Sequence, residues 1–479
     1  MSEELLINVT PQETRVAVIE NGVLQEVHIE RASHRGLVGN IYKGRVSRLL
    51  PGMQAAFIDI GLERAAFLQL SDMRVEGHGV SIEGLLQEGQ EITVQVIKDA
   101  IGSKGARLTT QITLPARYLV YMPMSEHIGI SQKIEDDQER ERLRGLVRAA
   151  MGDEGGGFIL RTMADRVTEE EIQKDVAYLR KLWRFAGDRL AVSTSPSLVH
   201  EDLSLALRTM RDLVRDNVEK IRIDSRETFH KAVEFAVEFV PDVAPRIEYY
   251  PGERPLFDLY SVEDEIKRAL EARVSLKSGG YLVIDQTEAM TTIDVNTGTY
   301  VGRRNLEETL FKTNLEAAQA IARQLRLRNL GGMIIIDFID MADGEHRRQV
   351  LRALERALAR DRVKVFVTEM SPLGLVEITR KRTRESLERL LCEPCPACKG
   401  RGVLKTAETV CYEIFREILR EVRQFGTDQY LVVASQMVVD CFLGDQATAL
   451  SRLQEFIGKP IHLQVESSYN QEQFDVVLI

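Results

Sequence analysis

Two aspartates stand at the ends of apolar, β-branched segments that a long helical pattern separates. Asp294 lies in TTIDVNTG (291–298), and Asp337 lies in GGMIIIDFID (331–340). A strand–helix–strand unit makes parallel strands through a right-handed crossover, and sites in such sheets lie at the carboxyl ends of the strands. The pattern therefore predicts that the two carboxylates meet at one edge of a sheet.

A pair of carboxylates suits a magnesium ion, which prefers oxygen ligands and keeps several waters. An ion held by Asp294 and Asp337 would polarise a phosphoryl oxygen and lower the pKa of a bound water, which is the chemistry of phosphodiester hydrolysis. Asn296 points to the same strand face as Asp294, and its amide can donate to phosphate. Alternatively, the acids only cap helices or solvate turns, and Asp340 and Asp285 compete as ligands.

A second group with metal chemistry is the loop CEPCPACKGRG (392–402). Cys395 and Cys398 are typical of a zinc knuckle, but structural zinc takes four ligands and the chain has no second knuckle, so another copy would supply the rest. Two alternatives remain, a redox CxxC pair and a different pairing through Cys392. The protein has five cysteines, which is too few and too crowded for a secreted disulfide framework.

The elements that position these groups begin with a β-rich N-terminal region. Asn21-Gly22 between two apolar runs predicts a hairpin, because both turn positions need positive φ. Five short strand patterns between 39 and 114 suit an OB-type barrel. Phe57 and Phe67 on its open face, with Lys104 near the rim, would make a base-stacking platform. The alternative is that both phenylalanines belong to the core.

The later elements alternate between helix and strand. The pattern predicts strands and a charged helix over 115–190. After the Asp337 strand it predicts a helix over 346–360, a strand over 363–368 and a helix over 376–390. Together these elements predict an α/β multidomain protein.

Composition and charge limit the classes of function. The 479 residues suit about three domains, and 44% of them are hydrophobic, enough for sizeable cores. The net charge of −10 argues against a general basic coat for nucleic acid but allows local patches, such as those at 323–328, 346–348 and 379–384. The N-terminus lacks the pattern of a signal peptide, and no run of about 18 apolar residues predicts a membrane segment. We therefore expect a cytoplasmic protein.

Three of these segments in combination resemble the ribonuclease E/G family of bacterial endoribonucleases. They are IDVNTG, ARQLRLRNLGGMIIIDFID and CPACKGRG (395–402), and the resemblance continues to the closing YNQEQFDVV. It implies a ribonuclease H-like fold divided between 1–37 and 206–269. Inserted or following parts would be an OB-fold RNA-binding barrel (38–110), a 5′-end sensor (111–205), a deoxyribonuclease I-like catalytic domain (270–391), a zinc-link (392–406) and a small C-terminal domain (407–479).

The resemblance also implies roles for the metal-binding residues. Asp294 and Asp337 would bind Mg²⁺, and Asn296 would orient the scissile bond. Cys395 and Cys398 would share one Zn²⁺ with the same pair of another subunit, which makes a homodimer and allows a tetramer. Cys411 and Cys441 are predicted to be buried thiols.

For RNA, the resemblance implies two binding regions. Phe57, Phe67 and Lys104 would bind RNA on the barrel. Arg161, Thr162 and the backbone amide of Val120 would grip a 5′-terminal monophosphate, since an arginine fork binds phosphate bidentately.

The implied reaction is magnesium-dependent endonucleolytic cleavage of single-stranded, A/U-rich RNA, which leaves a 5′-phosphate and a 3′-hydroxyl. The implied partners are ribosomal RNA precursors and messenger RNA, in rRNA 5′-end maturation and mRNA decay. Two other functions stay open. One is a non-catalytic RNA-binding or ribosome-assembly factor, against which the intact acids argue. The other is a metal-dependent DNA nuclease.

Overall fold

The computed structural model describes most of the chain. The described residues are 2–74, 80–100, 105–152, 154–215, 217–241, 243–298, 306–425 and 427–479, without the side chains of His34 and Leu306. The backbone divides into two compact units, Met1–Leu387 and Glu388–Ile479.

The described elements are mixed in type, and in the first unit strands are more than twice as numerous as α-helices. The strands are β1 (Glu3–Val9), β2 (Glu13–Glu20), β3 (Val23–Arg31), β4 (Ile41–Leu50), β5 (Ala55–Asp59), β6 (Ala66–Gln69), β7 (Glu91–Lys98), β8 (Arg107–Thr109), β9 (Leu114–Pro115), β10 (Leu119–Met122), β11 (Ile128–Ile130), β12 (Gly157–Leu160), β13 (Ser197–His200), β14 (Val218–Ile223), β15 (Ile247–Tyr249), β16 (Arg273–Ser275), β17 (Tyr281–Gln286), β18 (Met290–Asn296), β19 (Gly332–Asp337), β20 (Val365–Val367), β21 (Leu375–Arg380), β22 (Tyr430–Ala434), β23 (Ile461–Val465) and β24 (Phe474–Leu478). The helices are α1 (Ile82–Leu85), α2 (Asp137–Met151), α3 (Glu169–Val192), α4 (Leu205–Asp212), α5 (Arg226–Phe239), α6 (Leu256–Leu259), α7 (Val262–Ala269), α8 (Leu306–Leu327), α9 (Gly344–Leu358), α10 (Leu387–Leu391), α11 (Ala407–Gln424), α12 (Gln436–Leu443) and α13 (Ala447–Ile457).

The first sheet joins two distant parts of the chain. Its order is β15-β14-β1-β2-β3, and β1 runs parallel to β14. Asn21 and Gly22 form the turn between β2 and β3 with φ of 48° and 78°, which confirms the predicted hairpin. The apolar residues of this sheet pack with those of α4 and α5 in one core.

The second sheet closes into a barrel. Its strands follow the order β4-β5-β6-β8-β7, and β4 pairs again with β7, so five strands complete the circle while β13 adds to the outer side of β4. The prediction of a five-stranded OB-like barrel is confirmed. Its interior is filled by alternate residues of the strands, as a small barrel requires.

A four-stranded sheet of order β11-β12-β10-β9 follows the barrel. One face packs with α2 and α3 in a core of its own. Helix α3 begins with a complete capping box, in which Thr168 and Glu171 satisfy each other's backbone amides. This cap and the core fix the strand end that carries Arg161.

The third large sheet has the order β16-β17-β18-β19-β21-β20. Strands β18 and β19 are parallel and are joined through α8, as the strand–helix–strand pattern predicts. Helices α8 and α9 contribute to the core of this sheet. The predicted helix over 376–390 is wrong, because 375–380 is strand β21. Its Val376 and Ile378 are buried and alternate with exposed Glu377 and Thr379, a period of two that favours a strand.

The predicted basic patch at 323–328 is largely buried, whereas in the patch at 379–384 Arg380 is buried and Lys381 and Arg382 are exposed. Arg326 is 6% exposed and lies between the carboxylates of Glu20 and Glu26, at 2.7 and 2.8 Å. Arg380 is 4% exposed and pairs with Asp361 at 2.7 Å. Arg326 and Arg380 therefore stabilise the interior of the first unit and are not part of an exposed basic surface.

The second unit is a three-stranded sheet of order β23-β22-β24 with α11, α12 and α13. Cys411 is fully buried in its core and Cys441 is partly buried beside it, in line with the prediction of buried thiols. Across the described parts of both units, every helix is too short or too polar to cross a membrane.

Candidate functional site

The two aspartates stand beside each other on neighbouring strands. Asp294 of β18 pairs in register with Asp337 of β19, and the strands are parallel, so both side chains leave the same face of the sheet. Both are exposed, whereas the adjacent Ile293 and Ile336 are buried in the core on the other face. Asp337 ends β19, and Asp294 lies two residues before the end of β18. The structure thus brings the acids together at the carboxyl edge.

Electrostatics at this edge favour a bound cation. The Asn296 amide donates to Asp294 Oδ2 at 2.8 Å, which places all three side chains in one group. Partial burial, together with the charges of Asp294 and Asp340, raises the pKa of Asp337 above its usual value. A group made of carboxylate and amide oxygens fits a hard divalent ion, which would relieve this repulsion. Asp285 lies on β17, on the other side of β18 from Asp337, and is opposite Thr292.

A further group of possible metal ligands belongs to no motif that the sequence reveals. Glu307, Asp343 and His346 offer ligand atoms that all lie within 4.8 Å of one another. The Asp343 amide donates to Glu307 Oε1 at 2.9 Å, and the His346 ring stacks on Phe311 with centroids 4.1 Å apart. Asp343 also caps α9. These contacts tie the first turn of α8 to that of α9.

The two phenylalanines of the barrel form a cross-strand pair outside its core. Phe57 of β5 lies opposite Phe67 of β6, with ring centroids 6.0 Å apart in an edge-to-face arrangement. Both rings are partly exposed, while their strand neighbours are buried. The alternative that both belong to the core is therefore wrong, and their role with RNA stays a prediction. Lys104 lies outside the described residues.

Two arginines that the sequence analysis missed extend this aromatic pair. Arg48 of β4 lies opposite Phe57, and Arg107 of β8 lies opposite Phe67. The row across four strands is thus cation, ring, ring, cation. Arg107 is held by Asp72 at 2.6 Å, and Arg48 is exposed. In chain order Arg48 lies one strand before Phe57 and Arg107 lies two strands after Phe67, so no local motif joins either arginine to its ring.

Arg161 and Thr162 lie at the end of β12, where the chain enters a short 3-10 turn. The Arg161 guanidinium donates to the Ala116 carbonyl at 2.6 Å and contacts Asp212 at 2.8 Å. The Thr162 hydroxyl lies 3.0 Å from the Ser131 hydroxyl. Asp212 and Ser131 were missed, because neither belongs to a motif and each is distant in sequence.

Val120 lies on β10, opposite Ile159 of β12 and Pro115 of β9. Arg161 lies two residues beyond Ile159, so Val120 and Arg161 are on the same face of the sheet. The buried Leu119 and Leu160 lie on the other face. The contact of its amide with phosphate stays a prediction.

A buried carboxylate supports this sheet from α3. Asp175 accepts the backbone amides of Tyr118 and Leu119 at 2.8 and 3.1 Å. Burial raises the pKa of Asp175 to about 6, although these amides and nearby arginines favour the charged form. Asp175 therefore fixes the start of β10, the strand that carries Val120.

The cysteine loop has the geometry of a knuckle. The Gly402 amide points at Cys398 Sγ at 3.4 Å and lowers the pKa of that thiol. Lys399, Gly400 and Gly402 have φ of 51°, 83° and 76°, which turns the chain tightly around the sulfur. A thiolate stabilised by amides fits a zinc ligand.

The ligand set of this knuckle is incomplete within the described part of one chain. Cys395 is exposed, and the described residues offer the two cysteines no third histidine, cysteine or acidic ligand. Cys392 is exposed at the end of α10, where its amide bonds to the Glu388 carbonyl.

Comparison with known proteins adds a family and full-length relatives. The Ribonuclease E/G family model matches residues 113–383. Ribonuclease G of Salmonella typhimurium (strain SL1344) is 56% identical over 490 positions, and ribonuclease G of Escherichia coli (strain K12) is 55% identical over 490 positions, each covering 100% of both proteins. Ribonuclease E of Escherichia coli (strain K12) is 37% identical, covering 94% of this chain and 44% of that relative.

Proposed function

The chain belongs to the ribonuclease E/G family, and from that membership we propose that it is a magnesium-dependent endoribonuclease. Its substrate is single-stranded, A/U-rich RNA, and its products carry a 5′-phosphate and a 3′-hydroxyl. The proposed settings are 5′-end maturation of ribosomal RNA and decay of messenger RNA in the cytoplasm. The proposal rests on the family, on the site geometry and on the RNA-directed names of the relatives.

The observation that carries the proposal is the pairing of Asp294 with Asp337. Side chains in register on parallel strands are held by the backbone of the sheet, so the two carboxylates need no rearrangement to face one ion. Sites of this type in α/β sheets lie at the carboxyl ends of strands. Asp294 and Asp337 would therefore hold the magnesium ion.

The remaining chemistry divides between the ion and the chain. Magnesium, when bound, supplies polarisation of a phosphoryl oxygen and a bound water of lowered pKa. The chain supplies orientation, because Asn296 already lies against Asp294 and carries an uncharged donor that does not repel phosphate. Asn296 would hold the scissile phosphate against the carboxylate pair.

The barrel would bind the substrate with little preference for base sequence. Bases stack on aromatic side chains with about 1–3 kcal/mol each. Phe57 and Phe67 present partly exposed edges beside Arg48 and Arg107, which can meet the phosphates on either side. Lys104 would add a further cation.

The 5′ end would be bound by Arg161, Thr162 and the Val120 amide. An arginine fork and a hydroxyl suit the oxygens of one terminal phosphate. Their position at the end of β12, on the open face of the sheet, leaves them accessible to a strand of RNA.

We assign the parts of the chain by the family layout. A ribonuclease H-like fold is divided between 1–37 and 206–269, and the parallel pairing of β1 with β14 supports this division. The end sensor is 111–205, and the catalytic domain of deoxyribonuclease I type is 270–391. The zinc-link is 392–406 and the small C-terminal domain is 407–479.

The zinc-link joins two copies of the chain. Cys395 and Cys398 provide half of a tetrahedral set, and the same pair of a second copy provides the rest. The protein would therefore be a homodimer, and pairs of dimers would give a tetramer.

A substitution at Asp337 tests the proposal. Asp337→Asn removes one charge from the ion site and keeps the shape of the side chain. Cleavage of an A/U-rich oligonucleotide with a 5′-monophosphate should fall on the order of a hundred- to a thousandfold. Affinity for the same RNA, measured in EDTA, should stay within about threefold, because the barrel is unchanged.

Asp285→Asn is the matched control. It removes the same charge one strand away, opposite Thr292, and should leave cleavage within about threefold of the unsubstituted protein. Near-normal cleavage by Asp337→Asn would contradict the proposal. Loss of activity that only follows loss of RNA affinity would instead favour a binding factor.

A further inference from the structure

The guanidinium of Arg161 is already in contact with a carboxylate. From this contact we infer that Asp212 is a specificity-determining residue of the 5′-end pocket, which positions Arg161 and disfavours RNA ends that carry more charge than one phosphate. The inference rests on the proposed end sensing and adds the residue that sets its selectivity.

The contacts of Arg161 define how it can meet a ligand. One terminal nitrogen donates to the Ala116 carbonyl at 2.6 Å, and the other contacts Asp212 Oδ1 at 2.8 Å. Among the described residues these are the partners of the guanidinium, so its Nε–H and one hydrogen on each terminal nitrogen remain for phosphate. The side chain is 26% exposed. Arg161 is thus held by two contacts while part of its side chain stays exposed.

Asp212 is itself held in place and held charged. Arg211 donates to both of its oxygens, at 3.2 and 3.0 Å, and is only 8% exposed. Burial alone would raise the pKa of Asp212, but the charges of Arg211 and Arg161 outweigh it and leave that pKa below its usual value. Arg211 also binds Asp202 at 2.9 Å, which ties the group to the chain that follows β13. The negative charge therefore cannot easily leave when a ligand arrives.

A fixed negative charge discriminates between ligands by their charge. A terminal monophosphate carries nearly two negative charges at neutral pH, and a triphosphate carries about two more. At roughly 6 Å and the dielectric constant of water, two extra charges next to Asp212 are disfavoured by about a factor of ten. Salt weakens this repulsion, because the distance is comparable with the Debye length.

The same contact prepares Arg161 for a single phosphate. An arginine that is free in solution loses rotamer entropy when it binds. Asp212 and the Ala116 carbonyl remove much of that loss in advance. A hydroxyl end gains nothing from either effect, since it offers no charge to attract or repel.

The test is Asp212→Asn in the full-length protein, because asparagine keeps an oxygen acceptor for Arg161 and removes the charge. We would measure kcat/KM on three oligonucleotides that differ only in a 5′-hydroxyl, 5′-monophosphate or 5′-triphosphate, at low and at high salt. The ratio of monophosphate to triphosphate cleavage should fall about tenfold at low salt, and cleavage of the hydroxyl-ended RNA should stay within twofold. In the unsubstituted protein the ratio should fall as salt rises, whereas in the variant it should not change.

Two further variants separate the possible failures. Asp165→Asn removes a charge just beyond the 3-10 turn without touching Arg161 and should leave the ratio unchanged. Arg161→Ala should abolish the preference for a monophosphate over a hydroxyl. If the unsubstituted protein shows no such preference, the proposed end sensing fails and this inference fails with it. The other outcome concerns Asp212 alone. If the unsubstituted protein shows the preference, but Asp212→Asn keeps the full ratio of monophosphate to triphosphate cleavage or lowers kcat/KM equally on all three substrates, only the inference on Asp212 is overturned.

Discussion

At the scale of single residues, the acids of this protein differ by what surrounds them. Asp337 is exposed beside Asp294 and Asp340, and its pKa is raised by partial burial and by their charges. A divalent ion would remove that repulsion, so the arrangement is more stable with metal than without it. Asp361 lies against Arg380, which matches its charge inside the protein. The first environment favours a ligand and the second stabilises the fold.

Asp175 gives a pH-dependent test of the packing of α3 against β10. Its pKa of about 6 in the folded protein exceeds the ordinary value of 3.8, so the folded state binds the proton more tightly. The resulting stabilisation is present below about pH 4 and is lost as pH rises through 6, a change on the order of 3 kcal/mol. Asp175→Asn should remove this dependence, since it cannot ionise.

The measurement is the thermal midpoint of the variant minus that of the unsubstituted protein, at pH 5 and at pH 7.5. The difference should be more positive at the higher pH. Asp188→Asn, on the exposed side of the same helix, should show no such change. An equal difference at both pH values for Asp175→Asn would mean that Asp175 is not the titrating group.

The sequence predicted the residues that lie in strong local patterns. Asp294, Asn296 and Asp337 end apolar runs that form strands, so their meeting follows from the strand–helix–strand unit. Asp212 and Ser131 approach Arg161 and Thr162 only through tertiary packing. Periodicity carries no information about such contacts, and the sequence analysis missed them.

At the scale of elements, packing against distant strands decides where a prediction of secondary structure or exposure from local sequence fails. Strand β21 has the alternation of a strand within a segment rich in helix-forming residues, and the predicted helix over 376–390 was wrong there. The basic segment around Arg326 has the charge of a surface but is buried against the carboxylates of β2 and β3. In both cases packing against distant strands outweighed local preference.

The cysteine knuckle allows a prediction at this scale. Cys395→Ser combined with Cys398→Ser removes both proposed thiolates. The protein should then lose about half a zinc ion per chain and dissociate into single chains, because zinc takes four such ligands. Metal analysis and light scattering on the purified protein measure both changes.

Cys392→Ser is the control, because this exposed cysteine lies three residues upstream and should leave zinc and assembly unchanged. A full zinc ion per single chain would contradict a shared site. Loss of zinc in Cys392→Ser would show that a different pair of cysteines binds the ion.

At the scale of the whole molecule, the net charge of −10 means that attraction for RNA is local. Arg48 and Arg107 flank the aromatic pair, and Arg161 lies at a strand end, so the cations occur where RNA is proposed to bind. The parallel pairing of β1 with β14 joins two segments that are far apart in the sequence, and no local pattern reveals this pairing. Only the resemblance to the family suggested that this fold is divided along the chain.

The most direct test of the central claim follows the cut ends of RNA. The full-length protein would be incubated with an A/U-rich RNA oligonucleotide carrying a 5′-monophosphate, across a range of magnesium concentrations and in EDTA, with a DNA oligonucleotide of the same sequence as competitor. Hydrolysis by metal-activated water predicts cleavage of RNA only with magnesium, products with 5′-phosphate and 3′-hydroxyl ends, and little inhibition by DNA. Cleavage in EDTA, or products with 2′,3′-cyclic phosphate and 5′-hydroxyl ends, would contradict the account, because the RNA's own 2′-hydroxyl would then be the nucleophile.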